Sequence, residues 1–290
     1  MERRRGLLSL AVVVASLALT WVAFSAPLPP QYLAPASVVA TVLFMFLPVC
    51  GIFLAAGLGW TPKSAAVVLL VGVAAVLLLS NLQAGTVWLD GAIQAALQFF
   101  RVAWPVALGI LVGTLVRDKN LLIPIAVFLI TFDILLVLAP RGPTRAMMQQ
   151  PITRQAFETL AYQVPAPRSQ AEEPTVRPQP LAQVGPADSL FLAMFAFALY
   201  RFGMRVRKTF VWMAVALTLY LGVVIFAGGT SIAGIPLKML PGLVPMGIVV
   251  LSVNRREFSL SPEERRLVYG VVGVCVLLIL SAFLLPRLRG

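Results

Sequence analysis

The residues of this sequence best suited to chemistry are two aspartates inside apolar segments. Asp133 lies in the run at 121–140, and Asp188 lies in the run at 181–202. The other aspartates, Asp90 and Asp118, lie outside the apolar spans. An acid at membrane depth costs at least ~2.5 kcal/mol, so its presence there indicates a functional site.

The two acids occupy matching positions on either side of a polar segment. Asp133 lies seven residues before Pro140, and Asp188 lies seven residues after Leu181. At ~1.5 Å of rise per helical residue, each carboxylate is expected ~10 Å from the same membrane face. Two helices joined by one loop run antiparallel, so the spacing predicts that the two acids meet.

Two facing carboxylates in a site of low dielectric constant share one proton, since both do not ionise near neutral pH. The ionised acid takes a proton from a bound water, which attacks a peptide carbonyl, and the protonated acid donates to the carbonyl oxygen. This chemistry requires no metal and no cofactor. The sequence contains no histidine, which excludes Ser–His triads and most zinc chemistry.

The composition indicates a membrane protein. Of the 290 residues, 60% are hydrophobic and 12% are charged, and the mean hydropathy is +0.93. Several apolar runs exceed the ~18 residues that indicate a spanning helix. The net charge of +12 comes from basic residues in short loops between these runs, which is typical of cytoplasmic loops. We therefore expect the lipid bilayer as the environment and no nucleic-acid partner.

The sequence predicts an all-α, polytopic transmembrane helical bundle of about nine spans. N-terminal scaffold helices at 1–120 precede the first Asp-bearing helix at 121–139. A flexible, proline-rich polar loop at 140–186 separates that helix from the second Asp-bearing part at 187–255, and a C-terminal helix follows at 268–286. The predicted spans are 7–26, 36–59, 65–81, 103–117, 121–139, 181–202, 209–228, 232–253 and 268–286.

The N-terminal segment also fits a signal peptide, because basic residues precede its apolar run. The run is long for that role, however, and Pro27 directly follows the one plausible small-residue cleavage site. We expect 7–26 to span the cell membrane with the N-terminus in the cytoplasm. Five crossings then precede the loop at 140–186, which places this loop outside.

Residues 86–101 differ from the apolar spans. Asp90, Gln94, Gln98 and Arg101 recur at helical spacing and form one polar stripe. This pattern predicts an amphipathic helix that lies in the membrane interface or lines a cavity. The more ordinary interpretation is a helix face in contact with solvent.

The polar loop lacks apolar periodicity and is rich in proline, so we expect an extended or disordered middle with a short interfacial helix near 144–162. Farther along the chain, Lys238 precedes Pro241, Gly242 and Leu243 inside an apolar run. Proline and glycine release backbone groups from helical bonding. Such a backbone can pair with an unwound substrate as an added strand, and an ordinary proline kink is the alternative.

Three short motifs follow one another along the chain. Phe132-Asp133 is followed, seven residues after the aspartate, by Pro140-Arg141-Gly142-Pro143-Thr144-Arg145. Gly185-Pro186-Ala187-Asp188 comes next, and Leu240-Pro241-Gly242-Leu243, with Lys238 upstream, comes last. In this order the motifs resemble the Tyr-Asp pair with Pro-Lys-Gly-Pro-Leu-Arg at the same spacing, the Gly-x-Gly-Asp motif and the Pro-Ala-Leu motif of the presenilin and signal peptide peptidase family of intramembrane aspartyl proteases. The resemblance covers about residues 105–255.

The resemblance implies that the chain is an intramembrane aspartic endopeptidase. Asp133 and Asp188 would be the catalytic pair. The substrate would be a locally unwound transmembrane segment of another protein, and no partner subunit, metal or cofactor would be obligatory. The residues expected to contact substrate are Pro241, Gly242, Leu243, Lys238, Phe132 and Gly185.

The sequence also departs from the family pattern. Phe132 lacks the tyrosine hydroxyl, Ala187 replaces a glycine, and Gly242 replaces an alanine. A further span follows the third motif, and the outward loop is similar to that of signal peptide peptidases rather than presenilins. These departures leave a non-catalytic protein that binds membrane helices as an alternative.

A proton- or cation-coupled transporter that uses the two buried acids is another alternative, because broken helices and buried acids are common in transporters. The sequence has no sign of inverted repeats. Prepilin peptidases also use two membrane aspartates, but they have no counterpart of the motif at 240–243.

Overall fold

The computed structural model describes residues 2–82, 85–139, 142–170, 180–226, 231–232, 235–236 and 241–288. Two compact units are present. The first contains Met1–Thr114 and Ala156–Phe197, and the second contains Leu115–Gln155 and Ala198–Gly290. Each unit is described by itself.

Helices dominate the described residues. In chain order they are α1 (Glu2–Ser25), α2 (Leu33–Ala56), α3 (Pro62–Leu79), α4 (Val87–Leu115), α5 (Leu122–Leu138), α6 (Pro143–Gln149), α7 (Pro151–Leu160), α8 (Pro186–Arg201), α9 (Val206–Phe226), α10 (Leu243–Asn254) and α11 (Pro262–Leu288). Two short 3-10 turns lie at Pro30–Tyr32 and Lys119–Leu121.

The strands in the described part of the chain are short and form three two-stranded sheets. They are β1 (Pro27–Leu28), β2 (Tyr162–Val164), β3 (Arg168–Ser169), β4 (Ala182–Val184), β5 (Ser231–Ile232) and β6 (Ile235–Pro236). β1 pairs with β3 in parallel, whereas β2 pairs with β4 and β5 pairs with β6 in antiparallel register.

Six helical segments of the described chain are long and apolar enough to cross a membrane: Gly6–Ser25, Pro30–Ala56, Pro62–Leu79, Val87–Leu115, Lys119–Leu138 and Pro262–Leu284. Their outer surfaces are apolar and open. Leu70 on α3 is 70% exposed and Leu277 on α11 is 67% exposed. Faces this apolar are unfavourable in water, so the finding supports a multi-pass helical membrane protein.

The helix α4 joins two segments that the sequence analysis separated. Residues 86–101 were expected as an amphipathic helix and 103–117 as a separate span, yet one 29-residue helix covers Val87–Leu115. Pro105 removes one backbone hydrogen bond, which packing in a membrane helix tolerates. Packing stabilises the helical turn that follows Pro105, since Ala107 and Ile110 have no exposed surface.

The second Asp-bearing helix begins later than the sequence predicted. Ala182–Val184 pairs with Tyr162–Val164 as a strand, and Pro186 occupies the first turn of α8, where its fixed φ is favourable. Asp188 is therefore the third helical residue. The prediction that seven residues of helix precede Asp188 is wrong.

The polar loop also contains more regular structure than expected. A short helix was predicted near 144–162, and α6 and α7 occupy most of this range. The strands β2, β3 and β4 were not predicted. Residues 171–179, in the expected disordered middle, lie outside the described residues.

The apolar run at 232–253 is not one helix in its described part. A strand pair at Ser231–Ile232 and Ile235–Pro236 comes first, and α10 begins only at Leu243. This confirms the prediction that proline and glycine interrupt the span. Proline cannot donate the hydrogen bond that a helix interior requires.

Candidate functional site

Asp133 lies on α5 where its carboxylate reaches the start of α10. The Oδ2 atom accepts a hydrogen bond from the backbone N–H of Leu243, with an N–O distance of 2.7 Å. The N–H groups of a first helical turn have no acceptor within their own helix. Gly242, the N-cap residue of α10, has no side chain to accept this bond. A carboxylate 110 residues earlier therefore takes the place of a capping side chain.

A glycine allows this contact between α5 and α10. A Cβ atom on Gly247 would lie 2.7 Å from Ile130 Cδ1 and 3.4 Å from the carbonyl oxygen of Ala126. Leu243, one turn earlier on α10, is only 5% exposed. The missing side chain lets the two helices approach closely, and the approach brings Leu243 N–H within reach of Asp133.

The third motif is described only in part. Pro241 is buried, and Gly242 has φ −72° and ψ −27°, a helical conformation that alanine also adopts. The backbone therefore does not require glycine where the family has alanine. Lys238, and Pro140 and Arg141 of the first motif, lie outside the described residues.

Phe132 lies on an exposed apolar face of α5. Its ring is 47% exposed and stacks on Phe128 with centroids 5.6 Å apart and planes 14° apart. The neighbouring Asp133 is half-buried. The phenylalanine thus offers an aromatic surface, to lipid or to another helix, where the family has a hydroxyl.

Asp188 is half-buried in the first turn of α8. Its N–H donates to the carbonyl oxygen of Gly185 at 3.1 Å. A Cβ on Gly185 would lie 3.5 Å from Asp188 Oδ2 and 3.7 Å from the Phe157 ring. These are ordinary contacts, so sterics alone do not demand glycine at 185. A carboxylate in the first turn is favourable because the helix dipole is positive there.

The helix α8 is packed closely against α4 in the first unit. A Cβ on Gly109 would lie 2.1 Å from the carbonyl oxygen of Leu190, and a Cβ on Gly113 would lie 2.8 Å from the Phe197 ring. Phe195 on α8 has no exposed surface. Glycines four residues apart are typical of close membrane-helix contacts. This Gly-x-x-x-Gly pattern is visible in the sequence and was missed.

Three of the four side chains in the polar stripe on α4 are buried and the fourth, Asp90, is half-buried, so the interpretation of the stripe as a solvated face is wrong. Gln94, Gln98 and Arg101 are 5%, 2% and 5% exposed. Arg101 Nε donates to the carbonyl oxygen of Thr159 at 2.8 Å, and Nη2 donates to that of Glu158 at 3.2 Å. The guanidinium thereby caps the C-terminus of α7, where carbonyl groups lack helical partners and a cation is favourable.

Two further hydrogen bonds join the chain that follows α7 to α4 and α2. Gln98 Oε1 accepts the backbone N–H of Gln163 at 3.0 Å, and the Tyr162 hydroxyl donates to the carbonyl oxygen of Phe44 at 3.0 Å. Burial raises the pKa of the Tyr162 phenol, so it stays protonated as a donor. Since β2 at 162–164 pairs with β4 directly before α8, the buried stripe of α4 helps position the start of the Asp188 helix.

The structure thus brings together some of the predicted site residues. Asp133 contacts the third motif at Leu243 in the second unit, and Asp188 lies beside Gly185 in the first. The two aspartates belong to different units, so their pairing stays a prediction. Among the described residues, no cluster of three or more His, Cys, Asp or Glu side chains is arranged to hold a metal ion.

No model of a protein family, no curated protein and no solved structure matches this chain. The family resemblance therefore depends on the three short motifs alone.

Proposed function

We propose that this chain is an intramembrane aspartyl protease that hydrolyses transmembrane segments of other proteins, with Asp133 and Asp188 as its catalytic pair. One acid, ionised, takes a proton from water as the water oxygen attacks the peptide carbonyl. The other, protonated, donates to the carbonyl oxygen, and a proton then passes to the departing amine. Asp133, Asp188 and one water suffice for these steps.

The observation that supports this proposal most is the 2.7 Å hydrogen bond from Leu243 N–H to Asp133. It joins residues of the first and third motifs, which are 110 positions apart in the chain. A fixed donor on one carboxylate oxygen orients the acid and leaves its second oxygen for water or substrate.

Substrate recognition is proposed for the backbone before α10. The extended residues Ser231–Ile232 and Ile235–Pro236 and the interrupted helix at Pro241 present non-helical backbone within an apolar run. An unwound substrate helix needs partners for its freed N–H and C=O groups, and strand addition supplies them. Lys238, Phe132 and Gly185 are proposed to complete the substrate contact.

The proposal places the enzyme in the cell membrane with the N-terminus in the cytoplasm. Five of the six candidate spans precede residue 140, so the loop that follows α5 would be outside. Nine spans in total, with α8, α9 and the interrupted segment 232–253 that ends in α10 as membrane elements, agree with the hydropathy of the sequence. No partner subunit is required by the proposed chemistry.

The test is cleavage of a transmembrane peptide by the full-length protein reconstituted in liposomes. Asp133→Asn and Asp188→Asn should each lower the rate by at least ~100-fold, the contribution of one general acid or base. The amide oxygen introduced by Asp133→Asn can still accept the Leu243 N–H bond, so the fold should persist. The matched control is Asp118→Asn, an exposed acid that caps a 3-10 turn through Asn120 N–H, and asparagine caps equally well.

Each outcome decides between the alternatives. Cleavage retained by Asp133→Asn or Asp188→Asn would refute the proposed pair. Peptide binding without any cleavage by the wild-type protein would indicate the non-catalytic protein. Proton or cation flux that depends on both acids, in liposomes where no peptide is cleaved, would indicate the transporter.

A further inference from the structure

A cavity of about 430 Å³ lies in the second unit between the start of α9 and the end of α10. This volume is within the ~300–1,000 Å³ of typical ligand sites. Its lining combines four cationic side chains with apolar ones. The lining residues that carry the argument are Arg205, Lys208, Trp212, Val249, Arg255 and Arg256.

The cavity has a positive charge that the described part of the protein does not neutralise. Arg205 Nε forms an ion pair with Glu257 at 2.8 Å. Among the described residues, no hydrogen bond or ion pair engages the side chains of Lys208, Arg255 or Arg256, which are exposed. Three cations around one cavity favour an anionic ligand, and guanidinium groups suit phosphate oxygens in particular.

The helix termini do not account for this preference. The N-terminus of α9 and the C-terminus of α10 border the same cavity, so their dipoles oppose each other. The backbone N–H of Arg205 is also bonded to Asn254 Oδ1 at 3.0 Å. The attraction for an anion must therefore come from the side chains.

An apolar stripe leads away from the cavity along α9. Trp212 lines the cavity and is 59% exposed, and Val215, Leu219 and Val223 continue the same helix face with 44%, 67% and 48% exposure. The spacings of three, four and four residues place these side chains on one face. Residues 209–226 of α9 contain no charged side chain, which suits contact with lipid.

We propose that this cavity binds the phosphate headgroup of an anionic membrane lipid, with an acyl chain along the α9 stripe. The three unpaired cations would hold the headgroup phosphate, and Trp212 would lie at the boundary between headgroup and chain, where its amphipathic ring is favourable. A free phosphate ion would use the cations but not the stripe. The inference is independent of the proposed protease activity.

The test is native mass spectrometry of the full-length protein in detergent with equal amounts of phosphatidylglycerol and phosphatidylcholine. Wild type should retain phosphatidylglycerol preferentially. Lys208→Gln and Arg256→Gln should each raise the Kd for phosphatidylglycerol about five-fold and together about twenty-five-fold, as expected for a cation near a lipid phosphate. The control is Arg207→Gln, which removes an exposed charge on α9 outside the cavity lining and should leave the Kd unchanged.

A second measurement locates the lipid. Phosphatidylglycerol with brominated chains should quench tryptophan fluorescence in wild type more than in Trp212→Phe, because bromine quenches only nearby indoles. Inorganic phosphate at the same concentration should not displace the lipid.

The proposal is supported if the cavity variants alone raise the Kd, if Trp212→Phe lowers the quenching, and if inorganic phosphate does not displace the lipid. It is overturned if Arg207→Gln raises the Kd as much as Lys208→Gln does, since the attraction would then be a diffuse surface effect. It is also overturned if inorganic phosphate displaces the lipid, or if Trp212→Phe leaves the quenching unchanged.

Discussion

A methyl group added at Gly109 tests whether α4 and α8 pack as closely as described. The Cβ atom of alanine would lie 2.1 Å from the carbonyl oxygen of Leu190, and a backbone carbonyl cannot rotate away as a side chain can. Real Cβ atoms essentially never approach another atom closer than 3.0 Å, so relief of this clash requires the helices to separate by about 1 Å. Overpacking of this kind costs about 1–3 kcal/mol, and we expect Gly109→Ala to fall in the upper half of that range.

The same substitution elsewhere gives matched controls. Gly273 on α11 has no atom within 4 Å of its would-be Cβ, so Gly273→Ala should be neutral or stabilise by up to ~1 kcal/mol through helix propensity. Gly113 faces the Phe197 ring at 2.8 Å. This ring can shift, so Gly113→Ala should have an intermediate effect.

The assay is equilibrium unfolding in mixed micelles of rising SDS mole fraction, followed by circular dichroism. From the most to the least stable variant, the expected order is Gly273→Ala, Gly113→Ala and Gly109→Ala. If Gly109→Ala were as stable as Gly273→Ala, the close contact between α4 and α8 would be refuted. Under the proposed function, cleavage by folded Gly109→Ala should also fall, because a shift of ~1 Å near Asp188 costs catalysis up to ~100-fold.

Two further predictions concern buried polar groups. Asn254→Ala should destabilise the protein by ~2–4 kcal/mol in the same assay, because Asn254 has no exposed surface and bonds Arg205 N–H. Ser252 is exposed on the same helix, so Ser252→Ala should change the free energy of unfolding by less than ~0.5 kcal/mol. Equal effects of the two substitutions would contradict the described hydrogen bonds of Asn254. Arg101→Met should make the chain after α7 a faster target of limited proteolysis, because the two hydrogen bonds from Arg101 to carbonyl groups of α7 are lost. Arg117 is exposed, so Arg117→Met should leave the rate of digestion unchanged. Identical digestion rates for the two variants would refute the capping role of Arg101.

Local chemistry made several features predictable from the sequence. The length of an apolar run indicates a spanning helix because each backbone group in lipid must be bonded within its own segment. The interruption before Leu243 was predictable because proline lacks the N–H that a helix needs. These properties depend on neighbouring residues, so no tertiary information is required.

The polar stripe on α4 shows a feature that neighbouring residues alone do not predict, namely what its side chains contact. Its helical spacing was recognised from Gln94, Gln98 and Arg101, but spacing alone does not distinguish solvent from a buried partner. The partner is the chain near Glu158, 57 residues away from Arg101. Its carbonyl groups become acceptors only because α7 ends there.

The residue at which α8 begins also depends on a segment that is distant in the sequence. The sequence from Leu181 is compatible with helix by hydropathy, yet Ala182–Val184 is held as a strand by Tyr162–Val164. Strand pairing depends on a distant segment, and the proline at 186 then allows the helix to start.

The sequence by itself determined that this protein is a helical membrane protein with two acids in apolar segments, because hydrophobicity and proline chemistry act over a few neighbouring residues. Only the tertiary structure decided which atom contacts Asp133. The Leu243 N–H becomes available because α10 begins there, and Gly247 brings it near α5. A hydrogen bond between residues 110 positions apart depends on how two helices pack, which neither segment specifies alone.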